Sequence, residues 1–268
     1  MTANRRYPLA LDEAEVARYR LMAEQARAAE AGLWQEAGIV AGAQVADVGC
    51  GPGALLPALA AAVRPGGKVA AIDADPDAVA AARALVAKAG LVNVAVRAGQ
   101  AERTGLAAGS QDVVMLRHVL AHNGGREDAI VAHLAALLRP GGCLFLVDAD
   151  GTAIRTVPQD PDLADLAQRY VQLHVDRGND VQAGLWLGER LVRAGLELVD
   201  YRGSYVIRPL PPGMRPPSWA AREAMVAAGL ANKEDIARWD RAFARVDAAA
   251  SRPTLFAPVF AAIGRRPA

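Results

Sequence analysis

Val45-Ala46-Asp47-Val48-Gly49-Cys50-Gly51-Pro52-Gly53 is the stretch on which the fold turns. Val45 to Val48 is a short apolar run, glycine then recurs at 49, 51 and 53, and Ala54 to Val63 continues in helix-forming residues until Pro65-Gly66-Gly67 breaks them. That order reads as strand, glycine loop, helix. Glycine is needed where backbone must approach a ligand and a Cβ would obstruct it, and a loop at the head of a helix offers N–H groups to that ligand. A nucleotide-like ligand is therefore expected. The dinucleotide fingerprint is Gly-x-Gly-x-x-Gly, whereas here the spacing is Gly-x-Gly-x-Gly with Ala54 next, so a pyrophosphate fits poorly.

Outward from this loop the pattern repeats. Lys68 to Ile72 reads as a strand, and Asp73 stands at its end, where a carboxylate can accept from two ribose hydroxyls. Asp75-Pro76 starts a helix that Gly90 follows. Val92 to Val96, Asp112 to Leu116 and Cys143 to Val147 read as further strands, with a helix over Arg126 to Leu138. Upstream, Val16, Tyr19, Met22, Ala26, Ala29 and Leu33 recur at helical spacing in one or two amphipathic helices between Asp12 and Ala37. Strands alternating with helices imply an α/β, doubly wound, Rossmann-like parallel sheet with ligands at the carboxyl ends of its strands.

After Gly151 the pattern changes. Asp160-Pro161 opens a helix whose Leu163, Leu166, Tyr170, Leu173 and His174 share a face, Gly178 ends it, and Asn179 or Asp180 caps the next helix, which runs to Arg193. Leu196 to Asp200 and Ser204 to Ile207 read as strand, prolines dominate from Pro209 to Pro217, residues 218–249 are helical, and Thr254 to Ile263 forms a closing strand. The expected organisation is an N-terminal helical segment at 1–40 and an α/β core at 41–207 with a helical insertion at about 152–178. A helical lid at 208–250 and a closing strand within 251–268 complete it. Trp34, Trp186, Trp219 and Met214 are candidates for an apolar pocket wall.

Composition narrows the classes. Of 268 residues 53% are hydrophobic and 22% charged, enough for a large core. Thirty basic against twenty-nine acidic residues leave a net charge of +1, which supplies no field to hold a nucleic acid. Cys50 and Cys143 form no disulfide or metal framework, so a reduced, cytoplasmic protein is expected. Arg5 and Arg6 precede only Leu9-Ala10-Leu11 before Asp12 and Glu13, which is not a signal peptide. The apolar run Val113 to Leu120 is broken by Arg117 and His118, so no membrane span is expected.

Five stretches in order carry a family resemblance: residues 45–53, then Ile72-Asp73-Ala74-Asp75-Pro76, Ala98-Gly99-Gln100-Ala101-Glu102, Asp112-Val113-Val114-Met115 and Leu138-Arg139-Pro140-Gly141-Gly142. Over most of residues 40 to 207 the chain resembles the class I S-adenosylmethionine-dependent methyltransferases, in the small-molecule branch that includes quinone and natural-product enzymes. The resemblance implies a seven-stranded sheet with its last strand antiparallel and S-adenosylmethionine as cofactor. It also implies a small-molecule methyl acceptor whose O, N or C nucleophile is methylated, in secondary metabolism or quinone-like biosynthesis. It places the loop with Asp47, Gly49, Cys50, Gly51 and Gly53 against the methionine part of the cofactor. Asp73 is then at the ribose, Ala74 on adenine, and Gln100-Ala101 at the adenine edge, with Arg117 nearby. The family usually has Asp where Gln100 stands, and the Gln carbonyl can accept in its place. Asp112, at the start of its strand, is expected to cap backbone amides instead.

In-line methyl transfer needs alignment and can need a base. Arg117-His118 follows the fourth strand, and His118 and His122 are expected on one face of a helical turn, as candidate general bases near neutral pH. The alternative is structural: His118 packing near the methionine, His122 capping a loop. Their spacing lacks the further ligands zinc requires, so no metal is expected. Asp150, Tyr170 and His174 are candidates for the substrate pocket, Asp150 with loop capping as its competing role. Leu116-Arg117-His118-Val119 stands where nucleic-acid amino methyltransferases carry Asp/Asn-Pro-Pro-Tyr/Phe, and the magnesium carboxylates of catechol-type enzymes are missing. Two other readings share the loop and Asp73: a nicotinamide-dependent oxidoreductase, and a catalytically silent cofactor-binding partner protein. A homodimer is left open.

Overall fold

The computed structural model describes residues 13–268; the expectation about Arg5, Arg6 and the apolar residues after them lies outside the described residues. β1 (Gln44–Val48) is buried at its last four positions because both of its edges and both of its faces are covered. It pairs in parallel with β2 (Lys68–Asp73) on one side and β4 (Gln111–Arg117) on the other. β3 (Val94–Ala98) extends the sheet beyond β2, and β5 (Leu138–Ala149) extends it beyond β4, both parallel. The order β3-β2-β1-β4-β5 reverses direction of growth at β1 and β4, which places the ligand crevice at the carboxyl ends of those strands.

The far side of the sheet is antiparallel. β8 (Thr254–Arg265) runs against β5, as expected for the closing strand, and β7 (Glu197–Pro209) pairs with β8 along its whole length. Two strand pieces were expected at 196–207, but they are one continuous strand, because β8 supplies backbone partners through Tyr201 to Gly203 as well. Seven strands form the core. An eighth, β6 (Arg155–Val157), adds three residues to β8 at Thr254–Phe256, end to end with β5 along the same edge.

The helices α2 (Leu56–Ala62) and α3 (Pro76–Lys88) connect the first strands, and Asp75 caps α3 by accepting from the Asp77 N–H with Pro76 in the first turn, as the sequence predicts. The N-terminal segment is one helix, α1 (Glu13–Glu36), whose Leu33 and Trp34 pack with Leu56, Leu59 and Val63 on one face of the sheet. The other face carries α4 (Glu127–Leu137) and α6 (Leu187–Arg193) over Val114, Leu116, Leu144 and Leu146. Neither Asn179 nor Asp180 caps α6, since a 3-10 turn at Ala183–Trp186 intervenes.

α5 (Pro161–Asp176), capped by Asp160, joins α7 (Pro217–Ala220), α8 (Arg222–Ala227) and α9 (Lys233–Ala248) around Leu166, Leu173, Ala221, Met225, Trp239 and Phe243. This small core is separate from those of the sheet, so the two inserted segments make one helical cover. Arg238 ties it further, reaching Asp162 and Asp165 of α5 and Asp235 of its own helix at 2.6 to 2.9 Å. Of the four residues expected to wall a pocket, Trp34 is in the sheet core, Trp219 packs edge-on against Phe243 in the cover, and Trp186 is half exposed. Only Met214 reaches the cavity.

Candidate active site

The three glycines of the loop after β1 adopt left-handed φ values of 72°, 55° and 83° at Gly49, Gly51 and Gly53, a region that L side chains rarely enter. Space confirms the need: a Cβ on Gly49 would stand 2.3 Å from Val119 Cγ2, and one on Gly51 would meet Tyr19 of α1 at 3.2 Å. The loop is anchored to β2, with Gly49 N–H donating to Ile72 O at 2.7 Å. Asp73 Oδ2 accepts from the Gly51 N–H at 2.8 Å and its Oδ1 from the Asp75 N–H at 2.9 Å. Each oxygen keeps lone-pair capacity beyond these bonds, so a diol remains within its reach chemically.

Burial pushes Asp47 up to about 7; the Arg117 guanidinium opposes the rise and the Asp73 carboxylate adds to it. Burial also raises Asp73, against the two amides it accepts from. Cys50 is driven up by burial and by both carboxylates, so its thiol stays neutral and is no nucleophile. Two carboxyl groups beside a glycine loop suit a cationic ligand and repel a pyrophosphate. The donor set therefore fits S-adenosylmethionine, with its sulfonium and ammonium charges, better than a dinucleotide.

Most of these residues line one cavity of about 2300 Å³ at the carboxyl ends of the strands. Asp47, Gly49, Cys50, Gly51, Asp73 and Ala74 lie on its wall, and so do Gln100 and Ala101, which follow β3. Gly53 does not; its Cβ position is filled by Leu56 and Ala82, so it serves the turn. Typical small-molecule pockets span roughly 300 to 1,000 Å³. This one has room for a cofactor and a second molecule. Among the described residues no group of three or more His, Cys, Asp or Glu side chains is placed to hold a metal ion.

Arg117, at the end of β4, lines the cavity but its guanidinium is bound to Glu30 of α1 at 2.6 Å. Beyond it the chain turns at His118, which has φ 55°, and lays Val119 against Gly49; a 3-10 turn then covers Leu120–His122. The expected helical face shared by His118 and His122 is therefore not formed: His118 stands outside the turn. Both rings still reach the cavity. His118 Nδ1 lies 3.8 Å from Asp148 Oδ1, and Asp148 is itself held by the N–H groups of Ala121 and Ala149.

His122 is half-buried, desolvation of its ring lowers its pKa, and the ring sits 4.9 Å from that of His174. Tyr170 meets His174 edge-on at 4.5 Å. Asn179 fixes the tautomer of His174: its Oδ1 accepts from the Gly124 N–H, so its Nδ2 faces His174 Nδ1 at 2.9 Å, and that nitrogen must accept. His174 is then a neutral Nε2–H imidazole, consistent with burial driving it down to about 4. Its Nε2 is shut from solvent with no protein acceptor.

Asp150 does not join this group. Its Oδ1 accepts from the N–H and hydroxyl of Thr152, and it lies outside the cavity lining, because β5 runs to Ala149 and leaves Asp148 at the mouth. Asp112 accepts from the Gln44 N–H at 2.7 Å and pairs with Arg139, far from the loop. Glu30, Tyr19, Asp148 and Asn179 escape the sequence reading. The signal for Asp148 is its position at the end of a fully apolar strand, two residues before the one chosen.

Residues 45–142 match the family model described as a methyltransferase domain. The chain is 35% identical over 168 residues to a ubiquinone biosynthesis O-methyltransferase of Xanthomonas axonopodis pv. citri, a match covering 61% of this chain and 66% of that relative. It therefore spans just under two thirds of the relative's length. Over 105 residues it is 42% identical to nocamycin O-methyltransferase of Saccharothrix syringae, covering 39% of this chain and 37% of that one. A SAM-dependent methyltransferase from Aquifex aeolicus shares the fold with a TM-score of 0.51 at 21% identity, over 69% of this chain and 90% of the other. The fold is the Rossmann-like one of class I methyltransferases, and the glycine loop lies within the matched domain. Residues 45–142 thus carry a methyltransferase domain, and the curated relatives that the chain resembles are O-methyltransferases of small molecules.

Proposed function

We propose that this protein transfers a methyl group from S-adenosylmethionine to a hydroxyl of a small metabolite. The observation that carries the reading is the continuity of one cavity from the glycine loop and Asp73 to His118, His122, Tyr170 and His174 under the helical cover. When bound, S-adenosylmethionine supplies a methyl group on a sulfonium for in-line displacement. Asp47 and the loop hold the methionine end, Asp73 the ribose, and Ala74, Gln100 and Ala101 the adenine. Arg117 acts through Glu30, keeping α1 and Tyr19 over Gly51. The oxygen as nucleophile is supported by the two O-methyltransferase relatives and by imidazoles that can take a hydroxyl proton without a metal.

His118 is the base in this reading. Asp148 faces its Nδ1 at 3.8 Å and orients the ring, leaving Nε2 for the acceptor hydroxyl. His122 and His174, neutral through burial, orient the acceptor, and Tyr170 closes the wall. No helix among the described residues is long and apolar enough to cross a membrane.

Calorimetric titration with S-adenosylhomocysteine and, separately, with NADH tests the cofactor. Binding of the first alone, followed by methylation of members of a hydroxylated-acceptor panel, supports the reading. Binding of NADH alone moves the protein to hydride transfer, and cofactor binding without any transfer points to a silent binding partner.

A further inference from the structure

We infer that the methyl acceptor carries an anionic oxygen group of carboxylate type, and that Arg208 is the residue that selects it. The inference rests on the methyltransferase reading and names its substrate class.

Arg208 lies on β7 in register with Leu255 of β8, which is in turn opposite Thr156 of β6. Side chains in one cross-strand row share a face of the sheet, and all three of these line the cavity, on the side covered by α5 and α9. Three other arginines of the cavity wall have carboxylates: Arg215 and Arg252 share Asp247 at 3.0 and 3.2 Å, and Arg202 pairs with Asp200 and Glu36. Arg208 has none among the described residues. Its Nε is shut from solvent without an acceptor, and Nη2 meets only the thioether of Met214 at 3.5 Å.

A guanidinium nitrogen shut from water with no acceptor, on a half-buried side chain with no counter-charge, is unfavourable. Desolvation accordingly lowers its pKa. Such a group is retained where a ligand supplies the missing anion, and the planar guanidinium matches a carboxylate with two parallel hydrogen bonds. The frame around it is fixed: Arg252 donates from Nε to Leu210 O and from Nη2 to Pro211 O, holding the segment just after β7. The charge is thus preorganised for a ligand, not free to fold away.

The test uses the full chain saturated with S-adenosylhomocysteine and three probes: 3,4-dihydroxybenzoate, its neutral amide 3,4-dihydroxybenzamide, and phenyl phosphate. Wild type should bind the benzoate at least about tenfold tighter than the amide, R208M should erase the difference, and R208K should keep part of it. Preference for phenyl phosphate over the benzoate assigns the site to phosphorylated acceptors and overturns the carboxylate. Absence of any Arg208-dependent preference for an anion overturns the inference altogether. Without ligand, R208M should melt about 2 to 4 °C above wild type, as expected when an uncompensated charge is removed; a lower melting temperature would make Arg208 a structural cation and also overturn it. Failure of S-adenosylhomocysteine to bind wild type would instead strike the methyltransferase reading, so the two are distinguishable.

Discussion

Glu30 and Arg117, 87 residues apart in the chain, meet at 2.6 Å with each side chain about nine-tenths buried. This pair fastens α1 to the end of β4, and the Trp34 indole adds a long hydrogen bond to the other Glu30 oxygen at 3.4 Å. Removing one partner leaves the other as a desolvated charge. E30Q should therefore lower unfolding stability by about 2 to 3 kcal/mol, read by urea denaturation. It should also weaken S-adenosylhomocysteine binding, because α1 carries Tyr19 over Gly51. A variant as stable as wild type would show that the pair contributes nothing net.

Asp73 is expected to hold the ribose through charged hydrogen bonds. D73A should weaken S-adenosylhomocysteine by about 1.5 to 3 kcal/mol in calorimetry. Part of that loss comes from releasing the Gly51 N–H, which Asp73 Oδ2 holds at 2.8 Å. Unchanged affinity removes Asp73 from the site.

H118A should lower kcat by about a hundredfold or more while leaving cofactor affinity near wild type, since a base acts on the acceptor proton. D148N should lower kcat less, because Asp148 acts by orienting His118. H122A should raise KM more than it lowers kcat. Full turnover in both histidine variants would leave alignment alone as the source of rate.

Gly49 carries two constraints, a φ of 72° and a Cβ position 2.3 Å from Val119 Cγ2. G49A should destabilise by about 2 to 4 kcal/mol through backbone strain and overpacking together. Adding V119A to G49A should return the packing share and leave the strain. Melting curves of the single and double variants separate the two.

The parallel half of the sheet was legible because its strands alternate with helices whose ends are marked chemically: Asp75-Pro76 and Asp160-Pro161 start helices where the sequence places them. The glycine loop was legible for the same reason, since three left-handed positions in such close succession strongly favour glycine. What lay hidden depends on partners distant in sequence. Nothing local marks Glu30 as the partner of Arg117, or Arg208 as an arginine whose Nε is buried without an acceptor, because both facts are set by how α1 and β7 dock. The His118–His122 geometry failed for a local reason: helical spacing was assumed across a left-handed turn that Val119 needs in order to reach Gly49. Asp150 takes its competing role, a loop cap on Thr152, and not the pocket one, because β5 runs to Ala149, two residues beyond where periodicity ends it.

Asp47 gives the fold and the site a common pH dependence. Its native value of about 7 lies above the ordinary 3.8, so between those values the folded chain keeps a proton that the unfolded chain has released. Where the native state holds more protons, unfolding stability falls as pH rises. Stability from this group should therefore decline between about pH 4 and about pH 7 and level off above. D47N carries no such proton and should remove the decline, matching wild type at the acidic end and exceeding it at about pH 8, in urea denaturation series. Binding should run the opposite way. A cationic ligand favours the carboxylate, so S-adenosylmethionine should bind wild type more tightly at about pH 7.5 than at about pH 6, with proton release, and D47N should bind more weakly with no such slope. A flat affinity in wild type over that interval would mean that Asp47 remains neutral when the cofactor is bound, and that its role ends with packing beneath the loop.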